Sequence, residues 1–121
     1  GSAKAISSVI PALEGKLDAV AVRVPTLNVS LLDFTFQPEK QSSIDEIHDI
    51  FSAYSEGREK VFEISAQPLV SIDYNHNPAS CIVDLEQTRK IGNLFKVQAW
   101  YDNEWGFSNR MLDTALTMHN S

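Results

Sequence analysis

Trp100-Tyr101-Asp102-Asn103-Glu104-Trp105-Gly106-Phe107-Ser108-Asn109-Arg110 is where an apolar strand hands over to a helix. Upstream of it, Phe95, Val97, Ala99 and Tyr101 alternate with Lys96, Gln98, Trp100 and Asp102, the two-residue period of a strand. From Gly106 on, Phe107, Met111, Ala115 and Met118, with Leu112 and Leu116, recur at helical spacing. The junction itself packs two Trp, a Tyr, a Phe, two Asn and a Gly together, more aromatic and amide character than solubility asks of a loop. Aromatic bulk beside short amide and acidic groups suits a flat, polar ring. Asp102 and Glu104 stand where a carboxylate holds the loop or caps the closing helix. Trp100, Trp105 and Phe107 read as core or subunit-contact residues.

Working outward, Ser43-Ile44-Asp45-Glu46 fits a capping box, and Ile44, Ile47, Ile50, Phe51 and Tyr54 form one apolar stripe behind it. Gly57 is the matching stop. Near the start, Ala3, Ile6, Val9, Ile10 and Leu13 give a helix that Pro11 ends near Ile10. Val20, Val22 and Val24 alternate with Ala19, Ala21 and Arg23, which predicts a strand that Pro25 interrupts; Asn28 to Phe36 predicts a second. Val61–Ser65, Leu69–Tyr74 and Ser80–Leu85 read as further short strands, the last two separated by the turn formers Asn75-His76-Asn77-Pro78. Strands cluster without regular strand–helix alternation. The expected class is α+β, a mainly antiparallel or mixed sheet with helices on one face, rather than a doubly wound parallel sheet.

At 121 residues the chain suits one domain, and no internal repeat or linker divides it. With 16 acidic against 10 basic side chains, nucleic acid is not the expected partner. No apolar run approaches the roughly 20 residues that span a bilayer, so a membrane partner is not expected either. Cys81 is the single cysteine, which rules out an internal disulfide and suits a reducing cytoplasmic setting. His48, His76 and His119 are dispersed and show no metal-ligand spacing. Arg23 has two readings: an ordinary ion pair with one of the many acids, or a phosphate ligand at the end of a strand, its backbone stiffened by Pro25.

Two motifs together decide between these readings. Arg23-Val24-Pro25-Thr26-Leu27-Asn28 and the Trp100-Tyr101-Asp102-Asn103-Glu104 signature resemble segments of the glyceraldehyde-3-phosphate dehydrogenase family, and the likeness spans nearly the whole chain. It implies that Arg23 holds phosphate, while Thr26 and Asn28 shape the turn. It implies that Asn103 hydrogen-bonds the nicotinamide carboxamide of NAD, since an amide offers donor and acceptor together, with Tyr101 packed beside the catalytic pair. Gly1, in Gly1-Ser2-Ala3-Lys4-Ala5, matches a second phosphate-binding position at a helix N-terminus, unless Gly1-Ser2 is a cloning remnant.

The resemblance also implies what is missing. Family members use a cysteine nucleophile activated by a histidine. Ala79-Ser80-Cys81 runs on into Ile82-Val83-Asp84 and not into Thr-Thr-Asn, so Cys81 reads as a sheet residue, and no catalytic residue is expected in this chain. No Gly-x-Gly-x-x-Gly fingerprint is present. Residues 1–121 are therefore expected to be the C-terminal portion of a catalytic domain, closing helix included, without the NAD-binding domain and inactive alone. The implied parent oxidises an aldose phosphate with NAD and is a tetramer, and the truncated chain is expected to self-associate. Pro68 to Pro78, Gln87-Thr88-Arg89 and Asn109 to Thr114 lean towards the erythrose-4-phosphate dehydrogenase branch, whose product, 4-phosphoerythronate, feeds vitamin B6 synthesis. Glyceraldehyde 3-phosphate in glycolysis is the alternative substrate. A stand-alone module that binds anions through Arg23 is the non-catalytic alternative.

Overall fold

The computed structural model describes residues 2–120. Its centre is a four-stranded mixed sheet in the order β1-β4-β3-β2, with β1 Ser30–Phe36, β2 Phe62–Ser65, β3 Cys81–Ile91 and β4 Leu94–Tyr101. Strand β4 lies antiparallel to both β1 and β3, while β2 runs parallel to β3. The α+β class and the mixed sheet are as expected. Gly92, at φ 59°, opens the two-residue turn between β3 and β4, a position where glycine carries no steric penalty. Asn93 completes the turn and buckles a loop onto it: its Nδ2 donates to the carbonyls of Pro38 (3.0 Å) and Lys40 (3.2 Å).

Alternation along the strands sorts the apolar residues into two cores on opposite faces. On one face Phe95 and Val97 pack with Phe36 of β1 and with Ile44, Ile47 and Phe51 of α2 (Ile44–Ser55). Helix α2 forms as expected: Ser43 Oγ accepts from the Glu46 amide at 3.0 Å, and the Glu46 carboxylate accepts from the Ser43 amide at 2.7 Å. On the other face Trp100 stacks on Tyr74, ring centroids 5.4 Å apart, above Ile82, Ala79 and Val29.

Two expected strands do not form. Residues 17–24 have no regular structure, and Val20, Val22 and Val24 are 87%, 78% and 60% exposed. Alternation there meets no neighbouring strand among the described residues, and a lone strand leaves its amides and carbonyls without a ladder. The stretch Leu69–Tyr74 is mostly a 3-10 turn, Ser71–Tyr74. Asp73 closes it by accepting from the Val70 amide at 2.8 Å, a local bond that competes with sheet pairing.

Helix α1 (Ser2–Val9) runs straight into the 3-10 turn Pro11–Leu13, and the break falls at the expected proline. Helix α3 begins earlier than the apolar spacing predicts and runs Asn103–His119. Its first turns touch the rest of the molecule. A Cβ on Gly106 would sit 3.1 Å from the Ala79 carbonyl oxygen, and Arg110 donates to the Pro78 carbonyl and the Ser80 hydroxyl, both at 3.1 Å. Elsewhere on the helix Phe107, Met111, Leu112, Leu116 and Met118 are exposed.

Candidate functional site

The handover from β4 to α3 is built around one buried carboxylate. Asp102, 1% exposed, is the N-cap of α3: its Oδ1 accepts from the Trp105 amide at 2.9 Å. Its Oδ2 accepts from Asn28 Nδ2 and from the His76 amide, each at 2.9 Å. Burial pushes the carboxyl up. The amides of Trp105 and His76 and the Asn28 side chain, with the nearby His76 ring, outweigh that and hold it below its ordinary value. Asn28 spends its other Nδ2 hydrogen on Asn75 Oδ1 at 2.6 Å. Three segments remote in sequence thus meet at Asp102.

Three of the residues the sequence singles out lie on segments that lead into this knot. Asn103 is the first residue of α3 and is exposed. Tyr101 ends β4, half-buried, opposite Ser30. Arg23 is exposed in the irregular segment before Asn28 and forms no ion pair with the described residues. The structure shows no contact between Arg23 and Asn103; it joins their segments one step back, through Asn28 and Asp102. Gly1 lies outside the described residues.

Cys81, His48 and His76, set aside on sequence grounds, each have a partner within the fold. Cys81 faces Phe62 across the β2–β3 pair, half-buried, and burial pushes its thiol up, away from the reactive thiolate. His48 Nε2 pairs with the buried Thr88 hydroxyl at 2.9 Å. The His76 ring stacks on Trp105, centroids 5.1 Å apart, which gives that tryptophan a role at the knot. Among the described residues neither histidine bonds Cys81, and no group of three potential metal ligands is present. No described helix is long and apolar enough to cross a membrane.

A hollow of about 220 Å³ on the α2 face is lined by apolar side chains and the Cys81 thiol, among them Leu32, Phe34, Phe62 and Val83. It offers no donor set for a phosphate. Sequence reasoning gave Asp102 its capping role but not its reach, and it limited Asn28 to shaping a turn. The only signal for the long-range bond was the density of Asn around residues 75–77.

The match to known proteins is extensive. The family described as glyceraldehyde 3-phosphate dehydrogenase, C-terminal domain, matches residues 1–103. The chain belongs to this family. It is 51% identical over 119 residues to the chromosomal glyceraldehyde-3-phosphate dehydrogenase of Cupriavidus necator, covering 98% of this chain and 35% of that protein. It is 52% identical over 118 residues to the Pseudomonas aeruginosa enzyme of that name, with the same coverage. Against glyceraldehyde-3-phosphate dehydrogenase 2 of Staphylococcus aureus it is 50% identical over 116 residues, 95% of this chain and 33% of that protein. The chain spans about a third of the length of the curated relatives it matches.

Proposed function

We infer that residues 1–121 are the C-terminal part of the catalytic domain of an NAD-dependent dehydrogenase that oxidises the aldehyde of a sugar phosphate. The observation that carries this is the family match, together with coverage of only 35% of relatives named for that activity. On this reading a Rossmann domain and the cysteine–histidine pair belong to other parts of a longer protein, and Cys81 is not the nucleophile. A cytosolic setting suits that chemistry and the single thiol.

Arg23 is the phosphate ligand of this domain. Its exposed guanidinium presents paired donors, and no carboxylate of the described residues neutralises it. Gly1 is a second phosphate contact if it is native. Asn103 and Tyr101 border the nicotinamide. The residues fit one edge of that group: an exposed carboxamide with donor and acceptor both available, beside a half-buried aromatic ring. NAD, when bound, supplies the hydride acceptor. This chain's part is to hold the phosphate end of the substrate and to orient the carboxamide, so that the aldehyde meets its reactants in register.

The relatives' names favour glyceraldehyde 3-phosphate. The erythrose 4-phosphate reading rests mainly on the Asn75-His76-Asn77-Pro78 turn. Three groups of that turn are tied to the fold: Asn75 Oδ1 to Asn28, the His76 amide to Asp102, and Asn77 Nδ2 to Glu63 at 2.9 Å. A turn so engaged is a weak reporter of substrate length. Steady-state rates of the intact dehydrogenase on both aldehyde phosphates test the choice; a higher kcat/KM on erythrose 4-phosphate would reverse it. The 121-residue chain alone should reduce no NAD, and turnover by mass-verified material would overturn the fragment reading. The exposed apolar side of α3 supports self-association, which sedimentation velocity across a concentration series checks.

A further inference from the structure

Asp102 is buried more deeply than a helix cap requires, and the proposed chemistry leaves it without a task. An N-cap uses one oxygen and ordinarily stands at the surface. Here the second oxygen serves Asn28, 74 positions away in sequence, and the His76 amide. Asn28 is a rigid relay because both of its amide hydrogens are spoken for, one on Asp102 and one on Asn75.

The chain on either side of Asn28 is stiff. Val29 sits at φ 68°, a backbone region that β-branched residues avoid, and its side chain is buried beside Tyr74 and Ile82. Upstream, the Thr26 amide donates to the Val24 carbonyl at 2.8 Å, and Pro25 fixes the intervening backbone. Arg23 stands five residues before Asn28, so its Cα lies within about 18 Å of that of Asn28 even at full extension. The tight turn at Val24–Thr26 shortens this.

The geometry points to Asp102 as the positioning residue that sets the spacing between Arg23 and Asn103, one carboxylate oxygen serving each. Oδ1 aims the helix end that opens with Asn103. Oδ2, through Asn28, anchors the segment that carries Arg23. The inference rests on the reading of Arg23 as phosphate ligand and Asn103 as nicotinamide partner. It makes the distance from phosphate to carboxamide a property of the fold, and hence a ruler for the length of the aldehyde.

The test uses the intact dehydrogenase with Asp102→Asn, Asn28→Ala and Arg23→Ala. Asp102→Asn keeps an oxygen for the Trp105 amide and turns an NH₂ towards Asn28 and His76, so it breaks the Oδ2 arm alone. Misplacement of a binding group by a fraction of an ångström predicts about a tenfold rise in KM for glyceraldehyde 3-phosphate. The kcat/KM preference for that substrate over unphosphorylated glyceraldehyde should fall about tenfold as well. The Kd for NAD, from quenching of protein fluorescence, should move less than about twofold. Asn28→Ala should do the same, and it decides the matter if Asp102→Asn does not fold. Equal losses on the phosphorylated and unphosphorylated aldehydes would mean a merely structural carboxylate and would overturn the inference. Arg23→Ala separates the two levels. If it leaves the phosphate preference intact, the reading of Arg23 fails and the inference falls with it. If it abolishes the preference while Asn28→Ala preserves it, the inference alone fails.

Discussion

Residues 19–24 and 30–36 flank Asn28, and both alternate bulky apolar side chains with smaller or polar ones. The second became β1; the first stayed irregular with its valines in solvent. Composition does not separate them. What separates them is a neighbour: β1 finds β4 along its full length, from Ser30 opposite Tyr101 to Phe36 opposite Phe95, whereas residues 19–24 find no strand among the described residues. Alternation records the capacity to pair, and a partner edge converts it into structure.

The sharpest way to break the contrast is to remove what holds β4, the partner that only residues 30–36 have. Phe95 is 0% exposed and stacks on Phe36 at 5.7 Å. Phe95→Ala should cost about 3–5 kcal/mol in urea unfolding, enough to erase the difference between the two segments. Asn28→Asp attacks the joint between them. It sets a second carboxylate against Asp102 and a bare oxygen against Asn75, and should cost about 2–3 kcal/mol at pH 7. The deficit should shrink as pH falls towards about 4, because the crowded carboxylate pair takes up a proton above the ordinary Asp value.

The pH dependence of the unaltered protein sharpens the same point. The Asp102 carboxyl is lowered on folding, so its stabilising contribution is complete above the unfolded value of about 3.9. It is lost as pH falls through the lower, folded value. Asp102→Asn should flatten this acid limb in unfolding curves taken between pH 7 and pH 3. The smallest effects come from a matched pair. Phe34→Lys, opposite Val97 and stacked on Phe36, should cost about 1–2 kcal/mol. Val22→Lys should stay within about 0.5 kcal/mol. Equal costs at the two positions would show that residues 19–24 are paired after all.

Legibility followed the range of the interaction. Helix α2 was readable because its capping box lies within four residues, and the β4–α3 handover because the period changes within one stretch. Strand β3 runs six residues past the expected Leu85, since a register shift between Asp84 and Arg89 carries it through a polar stretch that obeys no simple alternation. Leu69–Tyr74 was misread because one side-chain bond from Asp73 outweighed six residues of β propensity. At the site, the residue types and the cap were visible. The bond from Asn28 to Asp102 was not, because nothing local at Asn28 distinguishes a turn former from a relay.

Strand order carries a consequence for folding. β4 is central, hydrogen-bonded to both β1 and β3, yet among the described strands it comes last in sequence. Without it, β1 has no partner strand among the described residues, and only the parallel β2–β3 pair remains. The β1–β4 pairing therefore closes across all the residues between Phe36 and Leu94, and such non-local closure is slow.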